Sequence, residues 1–289
     1  MNKILFIINP ISGGTSKRNF PHQAIRYLDP AKFCPYFLFT ERETHAYELT
    51  LEAIQSGVDI IVAVGGDGTV NEVASALEGS DKIMGIIPSG SGNGLARSIG
   101  IPMNPMRAIN KLNELKIDLI DSAVLNDYKF FNVAGVGFDA HVSARFAKSK
   151  TRGLLGYIQI AAAEIIRYKS QHYTLEIDGK RIERDAFLVS IANASQYGNN
   201  MYIAPFASLS DGVLDICIVK PLPIYYLPIM GFHLFNKTIH RSNYMEIIQG
   251  RNIKIHRQQS GLVHLDGEPR QIEGDLQIAL KPLSLRVIH

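Results

Sequence analysis

A run of glycines follows a short apolar stretch and has the residue types of a phosphate-binding turn. Residues 60–64, Ile-Ile-Val-Ala-Val, have the continuous apolar character of a buried parallel strand. Gly65, Gly66 and Gly68 interrupt it, and residues 69–77 then place apolar side chains at helical spacing. A strand, a glycine turn and a helix N-terminus together present bare backbone N–H groups to phosphate oxygens. We therefore expect a polyphosphate to bind here.

Asp67 lies inside this glycine turn. A carboxylate repels phosphate unless a cation lies between them, so Asp67 indicates Mg²⁺ bridging to the phosphates. Because strand–glycine–helix junctions are common in doubly wound proteins, the glycines alone leave an ordinary turn as the alternative. With Asp67, the stretch predicts a metal–nucleotide site. A nearly isosteric Asp67→Asn change is expected to abolish activity and leave the fold intact.

Two more strands of the expected sheet also end in glycine-containing turns. Strand 3–8 leads into Asn9-Pro10-Ile11-Ser12-Gly13-Gly14, for which an ordinary tight turn is the alternative. Strand 82–87 leads into Pro88-Ser89-Gly90-Ser91-Gly92-Asn93, where Ser91 and Asn93 can donate hydrogen bonds to phosphate or ribose. Alternating strands and helices through residue 120 predict an open α/β sheet. Its glycine turns would then cluster at the carboxyl ends of the strands.

The composition is that of a globular protein with one or two domains. The chain has 289 residues, of which 46% are hydrophobic, enough to bury a sizeable core. A formal net charge of +3 is too small to indicate nucleic-acid binding. Cys34 and Cys217 match no metal or disulfide spacing, which indicates a reducing cytoplasm. No stretch approaches the roughly 20 apolar residues of a membrane span, so any lipid is expected to be met from the surface.

The pattern changes near residues 118–121, beyond which short strand-like runs dominate. Turn signals such as Asp-Gly pairs separate the runs and favour a mainly antiparallel β-sandwich with one helix at 154–167. We expect residues 1–121 to form the α/β domain, joined by a returning strand at 283–289, and residues 122–282 to form the β-rich domain. The predicted strands of the β-rich domain are 129–133, 173–177, 186–192, 214–219, 245–248, 252–256, 261–266 and 276–280.

The stretches 65–72 (Gly-Gly-Asp-Gly-Thr-Val-Asn-Glu) and 88–93 together resemble the diacylglycerol/sphingosine lipid kinase family. NAD kinase and phosphofructokinase share only the Gly-Gly-Asp-Gly core. The resemblance covers nearly the whole chain and implies an ATP- and Mg²⁺-dependent kinase acting on a lipid hydroxyl, with diacylglycerol as the expected acceptor. The nucleotide-site residues that it implies are Asn9, Pro10, Ser12, Gly13, Thr40, Gly65, Gly66, Asp67, Gly68, Thr69, Asn71, Glu72, Gly90, Ser91 and Asn93.

The resemblance also assigns roles in the second half of the chain. It makes Glu268 the general base for the lipid hydroxyl, although a β-turn with a solvated Glu268 is the alternative. Asp121 matches a cleft carboxylate of the family, and a solvated strand-end aspartate is the alternative. With Glu268 and Asp67 in different domains, the reaction is expected in the cleft between them, with Asp67 and Asp121 as further catalytic candidates.

A metal-binding loop is a further implication of the resemblance. Asp211, with the main-chain carbonyls of Ser208 and Val213, is expected to hold a structural Mg²⁺, whereas the Asp211-Gly212 pair alone indicates only a turn. The segment 132–140 resembles a family segment that faces the cleft, although Gly135 and Gly137 alone favour a β-bulge. Gly94 departs from the pattern, because many bacterial diacylglycerol kinases have an acidic residue there. The acceptor therefore stays open between diacylglycerol, a sphingoid base and another lipid alcohol.

Two segments predict contact with an anionic membrane surface. Residues 220–243 contain aromatic and aliphatic side chains and no acid, and residues 141–172 contain one acid. Burial of these apolar side chains in the core is the alternative. We expect a cytoplasmic protein associated peripherally with membranes; the oligomeric state stays open, with a homodimer as one possibility. An NAD kinase-like enzyme or a non-catalytic nucleotide-binding regulator are the other functional alternatives. The basic residues of 141–172 are Arg145, Lys148, Lys150, Arg152, Arg167 and Lys169.

Overall fold

The computed structural model describes residues 1–14, 16–151, 153–257 and 260–289. Arg152, one of the basic residues of the predicted membrane-facing segment, lies outside the described residues. The chain divides into two compact units. The first comprises Met1–Ile120 and Leu283–His289, and the second comprises Asp121–Pro282.

Strands and helices alternate in the first unit. The order along the chain is β1 (Asn2–Ile8), α1 (Phe20–Tyr27), β2 (Phe33–Phe39), α2 (His45–Gln55), β3 (Ile60–Gly65), α3 (Asp67–Leu77), β4 (Ile83–Pro88), α4 (Gly94–Ser98), α5 (Pro105–Glu114) and the start of β5 (Ile117–Leu125).

The first unit is built on a parallel sheet in the order β2-β1-β3-β4. Ile4 pairs with Ile60 and Ile60 with Ile83, so the carboxyl ends of these strands lie at one edge. Every residue of β3 is buried, as expected for a central strand covered on both faces. The end of the last strand of the chain adds a fifth parallel strand through Val287, which pairs with Met84 of β4.

The second unit contains mostly strands. Its elements are β6 (Tyr128–Phe130), β7 (Val133–Gly137), α6 (Phe138–Lys148), α7 (Gly153–Glu164), β8 (Gln171–Ile177), β9 (Lys180–Ala186), β10 (Leu188–Ala192), β11 (Leu214–Val219), α8 (Leu227–Phe235), β12 (Met245–Gly250), β13 (Asn252–His256), β14 (Gly261–Leu265), β15 (Glu268–Ile272) and most of β16 (Leu276–Ile288).

Two antiparallel layers form a β-sandwich in the second unit. One layer is a six-stranded sheet in the order β12-β11-β10-β7-β14-β15. The other contains β9, β8, β13 and the first residues of β16. Ile191, Ile216 and Val263 of the first layer share one buried cluster with Leu175 and Ile255 of the second. Burial of each such side chain stabilises the fold by about 1.5–3 kcal/mol. The predicted fold class, an α/β domain with a β-sandwich domain, is therefore confirmed.

The helix content of the second unit was underestimated from the sequence. Besides the predicted helix, which is α7, the structure contains α6 and α8. The sequence of α8, Leu-Pro-Ile-Met-Gly-Phe-His-Leu-Phe, is apolar around most of its circumference, so it shows no helical periodicity to predict from. No helix in the described part of the chain has the length and hydropathy of a membrane-spanning helix.

Besides β7, which overlaps a predicted run only at Val133, and the part of β5 beyond residue 120, two strands of the second unit were not predicted, and both are polar. β9 reads Lys-Arg-Ile-Glu-Arg-Asp-Ala and β15 reads Glu-Pro-Arg-Gln-Ile. Each ends the order of its sheet. Charged residues and proline are typical of edge strands, because they oppose pairing with another chain. The polar composition of β9 and β15 is therefore why they were not recognised as strands from the sequence.

Candidate active site

Three glycine turns meet at one edge of the first unit. They follow β1, β3 and β4, which are neighbours in the parallel sheet. A Cβ atom on Gly90 would lie 2.5 Å from the Cα atom of Gly66, and a Cβ atom on Gly13 would lie 2.1 Å from the carbonyl oxygen of Ser89. Only glycine permits such main-chain contacts. The clustering predicted from the sequence is therefore present in this unit.

The carboxylate of Asp67 connects two of these turns. Its Oδ2 accepts a hydrogen bond from the backbone N–H of Asn93 (2.8 Å), and its Oδ1 accepts one from Gly94 (2.7 Å). These N–H groups lie at the start of α4, where a helix leaves its amides without internal partners. Asp67 thus has a structural task besides its predicted Mg²⁺ contact, which stays a prediction. Each carboxylate oxygen retains acceptor capacity, so this task is compatible with a cation.

The expectation that Asp67→Asn would leave the fold intact stays a prediction, and this geometry adds a cost in stability to it. Both oxygens of Asp67 accept from backbone donors. Asparagine keeps one acceptor oxygen and replaces the other with an NH₂ group, which would face an N–H donor. A nearly isosteric change therefore removes a hydrogen bond that charge makes strong.

Asn9 and Thr69 join the first turn to α3. The Asn9 amide donates from Nδ2 to Oγ1 of Thr69 (3.2 Å), and the backbone N–H of Asn9 bonds to the carbonyl of Val64 (2.9 Å). Gly65 makes room for this arrangement, because a Cβ atom there would lie 2.5 Å from Cβ of Thr69. Thr40 follows β2 and is buried. The structure thus brings together predicted residues from four adjacent strands.

Two residues predicted to contact the nucleotide, Asn93 and Glu72, use their side chains in hydrogen bonds to the protein backbone. The Asn93 side chain accepts from the backbone N–H of Gly90 (2.9 Å) and donates to the Gly90 carbonyl (2.8 Å), which closes its own turn. The Glu72 carboxylate accepts from the backbone N–H groups of Thr44 and Ala46, both at 3.0 Å, at the start of α2. Of the remaining polar candidates, Ser91 is exposed, and Oδ1 of Asn71 accepts from the Ser75 hydroxyl (3.3 Å).

Lys17 is a residue that the sequence analysis missed. It is buried beside the first glycine turn, and its ammonium group donates to the Ser12 carbonyl (2.9 Å). Burial lowers the pKa of this ammonium group below its usual value. A lysine placed there holds the turn and adds positive charge where phosphate is expected. Its position a few residues after Asn-Pro-x-Ser-Gly was the available signal.

In the second unit, Asp121 is buried and anchors the loop that was predicted to bind metal. Its Oδ2 accepts from the backbone N–H of Gly212 (2.8 Å), and its own N–H donates to the carbonyl of Leu209 (2.6 Å). Its carbonyl accepts from the Asn193 amide (2.9 Å). The alternative of a solvated strand-end aspartate is therefore wrong. Its catalytic role stays a prediction.

The predicted metal ligands lie on this same loop. Oδ1 of Asp211 accepts from the backbone N–H of Val213 (3.2 Å), and the Ser208 hydroxyl accepts from Ser210 (3.4 Å). Burial, and to a smaller extent the charge of Asp211, raises the pKa of Asp215, which lies on β11 just after the loop. The described residues contain no cluster of three or more metal-ligating side chains, so a cation would depend on main-chain carbonyls. Oxygen donors of this kind suit Mg²⁺.

Glu268 begins β15 directly after a tight hairpin. Asp266 (φ 51°) and Gly267 (φ 90°) form its two-residue turn, and both have the positive φ of a type I′ hairpin. The Asp266 carboxylate accepts from the backbone N–H groups of Phe131, Asn132 and Val133 at 2.8–3.1 Å. The Glu268 side chain is exposed, and the turn that presents it is anchored by a neighbouring carboxylate.

A second buried carboxylate in this unit was not anticipated. Oδ2 of Asp139 accepts from the Ser190 hydroxyl (2.9 Å) and the Tyr197 hydroxyl (3.1 Å) and lies 3.0 Å from Nε2 of His264. These partners come from distant parts of the chain, so no local pattern indicated them. The β-bulge favoured for Gly135 and Gly137 is absent, because β7 pairs with β10 one residue to one from Val133 to Gly137.

Comparison with known proteins assigns the class of the chain. Residues 3–125 match the family model of the diacylglycerol kinase catalytic domain. Residues 132–289 match the YegS C-terminal NAD kinase beta sandwich-like domain. Together with the fold, these matches define a kinase with a separate β-sandwich domain.

Relatives narrow this class to one family. A diacylglycerol kinase from Mycobacterium tuberculosis is 31% identical over 228 residues, which cover 76% of this chain and 74% of the relative. A Klebsiella pneumoniae protein named probable lipid kinase YegS-like is 32% identical over 245 residues, which cover 81% and 79%. The chain belongs to the bacterial diacylglycerol kinase and YegS-like lipid kinase family.

Solved structures agree with this fold. The crystal structure of a candidate diacylglycerol kinase from Bacillus anthracis has a TM-score of 0.79 and 26% identity, covering 100% of this chain and 97% of that one. An NAD kinase from Archaeoglobus fulgidus, solved with ATP, has a TM-score of 0.53 and 12% identity, covering 100% and 94%. At that identity the likeness to NAD kinase concerns the fold alone.

The double use of the Asp67 carboxylate generates the first prediction. Asp67→Asn should abolish phosphoryl transfer and also lower the free energy of unfolding by about 1–3 kcal/mol, because a buried N–H donor loses its acceptor. Denaturant unfolding and a transfer assay on the same preparation measure both effects. Asp81→Asn, at an exposed position of the same unit, is the matched control. An unfolding free energy equal to that of the wild type would contradict the structural task.

The loop at Asp211 generates the second prediction. Mg²⁺ should raise the melting temperature of the wild type relative to a chelator, and Asp211→Ala should lose most of that increment. A bound ion at about 100 times its dissociation constant stabilises a protein by about 2.7 kcal/mol. Calorimetry without nucleotide measures the increment, and Asp127→Ala, at an exposed turn, is the control. Equal melting curves of the wild type with Mg²⁺ and with chelator would show that the loop is an ordinary turn without a stabilising ion.

Proposed function

We propose that this lipid kinase transfers the γ-phosphoryl group of ATP, with Mg²⁺, to the hydroxyl of diacylglycerol and forms phosphatidic acid. The observation that carries the proposal is the convergence of three glycine turns in a chain whose residues 3–125 match a diacylglycerol kinase catalytic domain. Phosphoryl transfer depends mostly on positioning and charge neutralisation. Main-chain N–H groups, a buried lysine and a carboxylate that can hold a cation are the groups that such chemistry uses.

In this proposal the residues of the first unit bind the phosphate chain. The N-terminus of α3 and the turns at Gly13 and Gly90 supply N–H donors, and Lys17 adds positive charge. Mg²⁺ would supply the charge neutralisation that lets Asp67 lie near phosphate. Glu268, in the second unit, would take the proton from the acceptor hydroxyl. Its exposed position at the end of an anchored hairpin is compatible with a group that meets a substrate.

The acceptor is the part of the proposal that relatives support least directly, because Gly94 replaces the acidic residue of many bacterial diacylglycerol kinases. In this chain the Gly94 N–H is bound by Asp67, so a carboxylate already lies at that turn. This contact favours an intact metal–phosphate arrangement without a second acid. A sphingoid base or another lipid alcohol remains the alternative acceptor.

Transfer of radiolabel from ATP to a panel of acceptors tests the proposal directly. The panel contains diacylglycerol, a sphingoid base, monoacylglycerol and NAD, each with Mg²⁺ and with chelator. We expect labelled phosphatidic acid and no labelled NADP. Label in the sphingoid base alone would show that this lipid, and not diacylglycerol, is the acceptor. Label in NADP would show that the chain is an NAD kinase. No label with any acceptor would favour a non-catalytic regulatory protein.

The exposed position of Glu268 generates the third prediction. Glu268→Gln keeps the size of the side chain but cannot accept a proton, so single-turnover transfer should fall by a factor on the order of 10², about 2.7 kcal/mol of barrier. The dissociation constant for ATP and the melting temperature should stay unchanged. Glu273→Gln, an exposed glutamate of the same unit, is the control. Normal transfer by Glu268→Gln would exclude Glu268 as the base, with Asp67 and Asp121 the next candidates.

We further propose that α8 and the short 3-10 turn Ile224–Tyr226 before it contact an anionic bilayer, from which the lipid acceptor is taken. This segment leaves Tyr225 76%, Phe232 63% and Ile229 47% exposed, which burial in the core would not explain. Residues 220–243 contain no acid, so their lysine and arginine charges are not opposed within the segment. Aromatic and aliphatic side chains beside basic ones are typical of segments that lie in a membrane interface.

A vesicle-binding assay checks this surface. The double variant Ile229→Ser/Phe232→Ser should bind vesicles rich in phosphatidylglycerol at least about tenfold more weakly than the wild type, because each exposed apolar side chain contributes on the order of 1.5–3 kcal/mol when buried. Ile25→Ser, at an exposed apolar position of the first unit, should bind normally. Sedimentation velocity on the same proteins tests whether a second copy of the chain covers this surface instead of a membrane. A homodimer that dissociates in the double variant, with vesicle binding unchanged, would assign the surface to a second copy.

A further inference from the structure

The second unit contains a cavity of about 780 Å³ that the proposed reaction does not use. It is lined by residues of β7, β8 and β14 and by Arg257, which follows β13, and its size falls in the usual range for small-ligand sites. Five of its lining residues carry or can take a positive charge, namely Arg181, Arg257, His141, His172 and His256. Tyr168, Tyr173, Thr174 and Ser260 add hydroxyl groups. The lining is therefore rich in hydrogen-bond donors.

Asp275 is the one carboxylate among the described lining residues, and its charge is already balanced. It accepts from the backbone N–H of Arg257 (2.8 Å) and lies 3.1 Å from Nδ1 of His256 and 3.3 Å from Nζ of Lys254. The hydrogen bond from Arg257, followed by the bonds from Lys254 and His256, lowers the pKa of Asp275. Asp275 therefore stays ionised, but the positive groups that contact it offset its charge in the cavity.

Arg257 differs from the other cationic groups of the lining. His141 faces Glu164, His172 faces Asp185 and Glu183, His256 also faces Glu176, and Arg181 faces Glu183. The Arg257 guanidinium bonds only to the backbone carbonyls of Gly274 (3.1 Å) and Ile272 (2.9 Å) among the described residues. Burial lowers the pKa of Arg257, and the group remains charged because arginine titrates far above neutrality. Asp275 acts on Arg257 through its charge, which raises the pKa, whereas the guanidinium itself donates to neutral carbonyls among the described residues. Such a half-buried cation is suited to an anionic ligand.

Two further details suit an acceptor with several oxygens. Gly261 lies against the guanidinium, because a Cβ atom there would be 2.9 Å from Nη1 of Arg257. Burial, followed by the charge of Asp139, raises the pKa of Tyr168 to about 12, so its hydroxyl is a protonated donor at neutral pH. A phosphomonoester has three acceptor oxygens and close to two negative charges, whereas a carboxylate has two oxygens and one charge.

We propose that this cavity binds a phosphomonoester group, held by Arg257 with Arg181 and the lining histidines and hydroxyls. The group belongs either to a small soluble phosphate or to the headgroup of a phosphorylated lipid. Every lining residue belongs to the second unit, whereas the glycine turns belong to the first. The binding does not require that the chain transfers phosphate.

Titration with inorganic phosphate, followed through the ring nitrogens of His141, His172 and His256 in ¹H–¹⁵N NMR spectra, tests the site. Single His→Gln variants assign the signals. These three rings should shift together along one saturation curve, and the signals of His22 and His45 in the first unit should not follow it. The readout follows the lining residues themselves, so a failed kinase assay does not affect it.

Substitution of the arginine makes the test quantitative. Arg257→Gln should raise the dissociation constant by about tenfold or more, and Arg257→Lys by less. Arg251→Gln, at an exposed position of the same unit that does not line the cavity, should have no effect. Because Arg257 also holds two carbonyls, Arg181→Gln serves as a second variant with an exposed side chain, and melting curves accompany both.

The source of the phosphate is resolved by competition. Vesicles with phosphatidic acid that displace inorganic phosphate, where phosphatidylglycerol vesicles of equal charge do not, would assign the site to a lipid headgroup. Displacement by glycerol 3-phosphate alone would assign it to a soluble ligand. Ring signals that stay unchanged at saturating phosphate, or affinities that are equal in wild type, Arg257→Gln and Arg181→Gln, would overturn the proposal.

Discussion

The glycine-turn edge of the first unit depends on main-chain segments that approach more closely than side chains allow. Gly66 and Gly90 lie back to back, and Gly13 lies against the carbonyl of Ser89. Such contacts leave polar backbone groups without water, so each needs a partner within the protein. The Asp67 carboxylate supplies acceptors for two of them. Asp67, the residue expected to hold the cation, therefore also maintains the turn geometry that exposes N–H donors to a ligand. A substitution that alters the cation contact would alter the turns as well.

The second unit uses buried carboxylates in the same way. Asp121 anchors the loop that contains Asp211, and Asp266 anchors the hairpin that presents Glu268. Asp139 gathers a serine, a tyrosine and a histidine from separate parts of the chain. Hydrogen bonds to a charged acceptor are about twice as strong as neutral ones, so one short side chain can organise several strands. Loss of activity on mutation of such a residue identifies a catalytic role only when stability is measured beside it.

Local features of this structure were predictable, and contacts distant in sequence were not. The strand–glycine–helix junctions at residues 60–77 and 82–98 follow from apolar runs and glycine placement, both of which operate over a few residues. The partners of Asp67 lie 26 and 27 residues further along the chain, and those of Asp139 lie up to 125 residues away. No periodicity encodes such distances. Edge strands β9 and β15 escaped prediction because their polar residues oppose aggregation and so resemble loops.

The last strand has a consequence for how this protein is made. β16 pairs with β13 through residues 276–279 and with β4 through Arg286 and Val287, with Leu283 in a left-handed conformation (φ 47°) where the units change. During translation, β4 can therefore pair with β16, its outer neighbour, only after the whole second unit has left the ribosome. An apolar parallel strand with an open edge is a template for wrong pairing in that interval. The first unit begins to be synthesised first but is completed last, so its maturation is tied to that of the unit that follows it.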